Sequence, residues 1–147
     1  MAKDKPDKGI EKQMKEGYVE YQMVTQQVKQ VQEQIESIQE QLTDLNSVTE
    51  NLDHLKEAKK EDEMLIPVAN GIFFKTALKD NSEFLVNVGS NTVVAKSFPQ
   101  VKDMLTVQKK ELEEVHDNLV IQFQKLHEQS AKLEQDLKNL VSQSENV

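Results

Sequence analysis

Three histidines and many carboxylates are the residues of this 147-residue chain with the most obvious chemistry, yet their spacing supports none. His54, His116 and His127 lie in polar surroundings, and no H-x-x-x-H spacing pairs any two as metal ligands. The simpler reading of each is a solvated surface residue. Glu57, Glu61, Asp62 and Glu63, and likewise Glu111, Glu113 and Glu114, are dense in acid. Paired-acid catalysis needs a shaped pocket that drives two carboxyl pKa values apart, which exposed helix faces do not provide. Gly9, Gly17, Gly71 and Gly89 are scattered and form no phosphate-cradling loop. With no Cys, neither a disulfide nor a thiolate metal site is available, which fits a reducing compartment. The expectation is no catalytic residue, no metal and no cofactor.

Composition narrows the partners. Hydrophobic residues make up 37% and aromatics 5%, with no Trp, which argues against a large globular core. The net charge is -8 and no basic residue is Arg, so nucleic acid is not expected as the main partner. MAKDKPDKGIEKQ carries basic residues with no apolar run behind them, and no segment approaches the ~20 apolar residues of a membrane span. A cytoplasmic chain with no membrane contact is the expectation.

The apolar pattern describes two long helices. From Tyr21, Val24, Val28, Val31, Ile35, Ile38, Leu42 and Leu45 to Thr49 and Leu52, steps of three and four alternate, the seam of a coiled coil. It extends back through Met14 and Ile10, with Gly17 on a seam position where it is expected to loosen the end. Running from Ile10 to about Lys59, this helix would be roughly 75 Å long. The second follows Ser97, an N-cap candidate, with Pro99 tolerated in the first turn. Leu105, Leu112, Leu119, Leu126, Leu133 and Leu140 recur every seventh residue. Steps of four and four from Val115 through Leu119 to Phe123 predict a stutter that unwinds the supercoil locally. Joined by a short connection, the helices are expected to pair antiparallel within one chain; parallel pairing with a second chain is the alternative.

Between the helices the period becomes two. Ile72, Phe74, Thr76 and Leu78 share a face, and Phe84, Val86 and Val88 line a later strand after the turn residues Asp80, Asn81 and Ser82. Leu65–Val68 before Asn70-Gly71, and Thr92–Ala95 after Gly89-Ser90-Asn91, complete four short strands, most simply two hairpins. An insert of about 33 residues is below the ~40 that support an independent core. Its apolar face, taken as Ile72, Phe74, Leu78, Phe84, Val86, Val88 and Val93, is therefore expected to assemble with sheets from other chains. At the outer helix ends lie Ile10, Met14, Tyr18, Val19, Tyr21 and Met23, and Leu133, Leu137, Leu140 and Val141. Some serve the seam, but Tyr18, Val19 and Met23 fall off it, where flexible and amphipathic side chains suit varied apolar partners.

LIPVANGIFFKTALKD and FLVNVGSNTVVAKSF, set in this order between two coiled-coil helices, resemble the strand pattern of the prefoldin family, and the two-hairpin insert resembles its α class. The resemblance implies a mainly α fold with a small β insert: a long antiparallel coiled-coil hairpin with two β-hairpins at its closed end, part of a hexameric double β-barrel platform. It implies partners: four β-class subunits for two of this chain, unfolded client proteins held at the helix ends without ATP, and a group II chaperonin that receives them. The division expected is a flexible segment 1–9, a coiled-coil helix 10–63, two hairpins 64–98, a second helix 99–143 and a flexible tail 144–147. The competing reading is a scaffold or filament-forming coiled coil that binds one defined partner.

Overall fold

The computed structural model describes residues 8–145. Helix α1 (Lys8–Glu57) is followed by β1 (Glu63–Ala69), β2 (Ile72–Ala77), β3 (Glu83–Asn87) and β4 (Val93–Ser97), then by helix α2 (Phe98–Glu145). Of the expected flexible ends, residues 1–7 and 146–147 lie outside the described residues, while residues 8, 9, 144 and 145 are helical. The chain forms two compact units, one built from the residues up to Gln39 with those from Glu114, the other from Glu40–Glu113.

In the first unit the helices run antiparallel. A Cβ built on Gly17 would stand 3.1 Å from Leu137 Cδ2, and Gln39 Nε2 lies 3.5 Å from His116 Nε2. Every seam position read from Ile10 to Leu52 is buried or half-buried, including Gly17, and Val24 and Val31 are the most enclosed on α1. Two findings differ from the sequence reading. Gly17 does not loosen the seam: α1 is continuous through it, and the missing side chain admits Leu137 at close range. The four-and-four step through Leu119 is also replaced: the seam runs through the half-buried Leu112, His116, Leu119 and Phe123. Val115 is exposed, and the half-buried residue is His116, whose partner Gln39 makes a polar group acceptable there. His116 is thus a seam residue, whereas His54 and His127 are exposed, with the His127 ring stacked 5.9 Å from Phe123.

In the second unit, α1 ends at Glu57 rather than running on to 63. Glu61 takes a left-handed φ of 73°, and the Asn81 amide donates to the carbonyls of Leu55 and Lys56 in the last helical turn and of Ala58 just past it. The strands form two separate two-stranded antiparallel sheets, β1 with β2 and β3 with β4. Asn70 and Gly71, with φ of 47° and 78°, make the tight turn of the first hairpin, for which Asn-Gly is suited. Pro67 lies on β1 beside a register shift between Pro67 and Ala69, consistent with the edge position that a residue lacking N–H requires. Ser97 caps α2: Gln100 N–H donates to Ser97 Oγ at 3.4 Å, and Ser97 N–H donates to Gln100 Oε1 at 3.0 Å. This reciprocal pair is a capping box, with Pro99 within the first turn, where its missing N–H has no helical acceptor in any case. Ser97→Ala should therefore lower stability by about 1 kcal/mol in urea unfolding; no change would mean that the cap is idle.

Candidate functional site

With α1 unbroken, its residues three and four apart stand above one another, which sorts the apolar side chains near its N-terminal end onto distinct faces. Met14, Tyr18 and Tyr21 from α1 meet Leu137 and Val141 from α2 around an open cleft of about 610 Å³, edged by Lys15, Glu134 and Lys138. Glu134 and Lys138 form an i,i+4 ion pair at 3.5 Å, which holds charge at the rim. Val19 and Met23 point elsewhere and line a second, shallower groove of about 360 Å³ with Lys15, Glu16 and Glu20. Tyr18, Val19 and Met23 are each more than half exposed although the helix is intact, so fraying at Gly17 is not what bares them.

The structure thus brings together Met14, Tyr18, Leu137 and Val141, and places Val19 and Met23 apart from them. Ile10, Leu133 and Leu140 are half-buried and line neither groove. Tyr21, a seam residue that also belongs to the apolar helix end, walls the cleft as well.

The hairpins carry the other apolar surface. Ile72, Phe74, Val88 and Val93 are exposed, whereas Leu78, Phe84 and Val86 are half-buried by their own chain. The Phe84 ring lies 6.3 Å from that of Phe98, and Lys56 and Lys102 stand 5.6 and 5.3 Å from the Phe98 centroid. Lys102 is fixed by Asp53 at 2.9 Å. The opposite face, on which alternation sets Phe73 with Lys75, Ala77 and Lys79, is more apolar than that row suggests: Leu65, Phe73 and Leu85 are exposed there, Leu85 at 77%. Strands apolar on both faces are the pattern of strands buried on both sides, and that pattern was readable in LIPV and FLV.

Residues 9–143 match the family described as Prefoldin subunit. The chain belongs to the prefoldin family. It is similar to proteins named prefoldin subunit alpha. One, from Thermofilum pendens, is 27% identical over 63% of this chain and 72% of the relative. Those of Methanobrevibacter smithii and Pyrococcus horikoshii are 35% and 28% identical; the first match covers 47% of each chain and the second 63%. With its two hairpins, the chain takes its place in the prefoldin α class. The fold is also that of filamentous PFD from Methanocaldococcus jannaschii, solved by cryo-EM, with a TM-score of 0.53, 16% identity, and 82% of this chain and 94% of the other covered. Prefoldin is a non-enzymatic chaperone family whose subunits form oligomers with one another, so membership supports a chaperone-type role. Among the described residues, no helix is long and apolar enough to cross a membrane.

Since the off-seam residues face water, Tyr18→Ser and Met23→Ser should each change unfolding stability by less than about 0.5 kcal/mol. Leu137→Ala, which removes the contact on Gly17, should cost about 1–2 kcal/mol, a half-buried fraction of a full core truncation. Thermal or urea unfolding followed by helicity separates the two; a large loss for Tyr18→Ser would place that residue in the seam.

Proposed function

We propose that the chain is the α-class subunit of an ATP-independent holdase. In this reading, two copies with four β-class subunits capture unfolded proteins in the cytoplasm, prevent their aggregation and pass them to a group II chaperonin. The observation that carries the reading is the open cleft of Met14, Tyr18, Tyr21, Leu137 and Val141 beside the exposed pair Val19 and Met23. A rigid ligand would favour a closed pocket with a few fixed polar groups. Open grooves that set Met, Tyr and Val beside charged side chains suit segments of varied sequence. One such groove binds weakly; several on one oligomer act together through effective concentration.

The hairpin faces supply the oligomer. Ile72, Phe74, Val88 and Val93, with Leu65, Phe73 and Leu85, present apolar surface that partner strands would cover. The test is the triple variant Tyr18→Ser, Val19→Ser, Met23→Ser, assembled with β-class subunits and mixed with a chemically unfolded client. Assembly should persist while suppression of client light scattering falls severalfold, with no dependence on ATP in either form. Full suppression by the assembled variant would move the client site elsewhere and favour the scaffold reading.

A further inference from the structure

The Asn81 side chain lies in the link between the two hairpins and is half-buried. Its Nδ2 is 3.1 Å from the carbonyl oxygen of Leu55, 3.1 Å from that of Lys56 and 2.9 Å from that of Ala58. The first two belong to the last turn of α1 and the third to the residue just past it, where a helix runs out of its own N–H donors. Such ends are commonly closed by a glycine just past the helix, but here Ala58, Lys59 and Lys60 follow Glu57. The donor comes instead from 23 to 26 positions further along the chain. This cap is therefore also a tie between distant segments.

The link is shaped for that task. Asp80 Oδ1 accepts from the Ser82 N–H at 2.9 Å and from Ser82 Oγ at 2.7 Å, which fixes the turn around Asn81. On its other side, Leu78 N–H donates to the Asp62 carbonyl at 2.9 Å, and Glu61 N–H donates to the Leu78 carbonyl at 2.8 Å. No ladder of hydrogen bonds joins the two sheets. Phe84 against Phe98 adds apolar contact, but such contact is non-directional and tolerates sliding. An amide facing three carbonyls does not.

We propose that Asn81 is a positioning residue for assembly: its amide clamps the link onto the end of α1 and so sets where the second hairpin stands for partner strands. The inference rests on the assembly reading above. With the clamp released, helices and hairpins remain, but the two hairpins are presented together only part of the time. Apparent affinity for partner subunits falls by that fraction.

Full-length chain, Asn81→Ala and Asn81→Asp are each titrated with a β-class prefoldin subunit and followed by sedimentation velocity, with helicity as the control. Asn81→Ala should keep its helicity and lose on the order of tenfold in assembly affinity, because the Lys56 and Ala58 carbonyls lose their side-chain donor while Leu55 keeps only the Ala58 N–H at 3.3 Å. Asn81→Asp should lose more at neutral pH, because it sets a carboxylate against three carbonyls at the negative end of a helix. On acidification it should recover toward the unaltered chain measured in parallel, since those carbonyls raise the new carboxyl's pKa. Asp80 is separable, because the Ser82 backbone N–H and hydroxyl, with Lys60 nearby, hold its carboxyl below the ordinary value. Unchanged affinity for Asn81→Asp, or a loss that acid does not reverse, overturns the proposal. If the unaltered chain itself does not assemble, the assembly reading fails; the clamp is then read from amide hydrogen exchange at Glu61 and Leu78 in the isolated chain. Faster exchange in Asn81→Asp supports the clamp, and equal protection overturns it.

Discussion

A two-stranded hairpin satisfies the backbone on the inner side of each strand and leaves the outer side to water, so alone it is marginal. This chain contains two such hairpins, not hydrogen-bonded to each other, with apolar side chains on both faces. Part of one face is covered internally, where Phe84 meets Phe98 under two lysine side chains. The rest, from Leu65 and Phe73 to Leu85 and Val93, is left exposed by the described residues of its own chain. The rest of the architecture suits strands completed from outside: a chain that shared its sheet would be free to spend its remaining length on two helices that require little core.

Those helices hold together by a narrow seam. Val24 and Val31 on α1, and Val101 and Leu105 on α2, are the buried hydrophobic residues among those described, and most other seam positions are only half covered. A seam of this kind draws its stability from length and regular spacing, and it leaves the outer helix faces free of structural duty. Tyr18, Val19 and Met23 can therefore remain in water without loss to the fold, which is the physical condition for using them as contact surface. Gly17 sharpens the arrangement by letting Leu137 close on the backbone, so the cleft beside it has a firm floor.

Most of this was legible in the sequence because both periods are clean. Steps of three and four located the seam of α1 at every position, and Asn-Gly between alternating strands located the first hairpin. Where reading failed, the deciding contact lay far away in sequence. Val115 and His116 are equally available by spacing, and the choice of His116 depends on Gln39 in the other helix. The end of α1 carries no local stop residue, because its cap is Asn81. For the hairpins, Lys75 and Lys79 beside Phe73 made the second face read as mixed. Leu85, the most exposed large apolar residue, falls out of step with the chosen row of Phe84, Val86 and Val88. The grouping of Met14 and Tyr18 with Leu137 and Val141 likewise needed the register between helices, which neither helix states alone.

The central claim is that the hairpins are completed by other chains, and amide hydrogen exchange tests it most directly. Exchange at Phe73, Lys75, Leu85 and Val93 is measured in the isolated chain and again after mixing with a β-class prefoldin subunit. The account predicts fast exchange alone and at least about a hundredfold slowing in the mixture, because outer-strand amides gain partners. Exchange in the middle of α1 should change little. Slow strand exchange in a chain shown to be monomeric, unaltered by the partner, would contradict it.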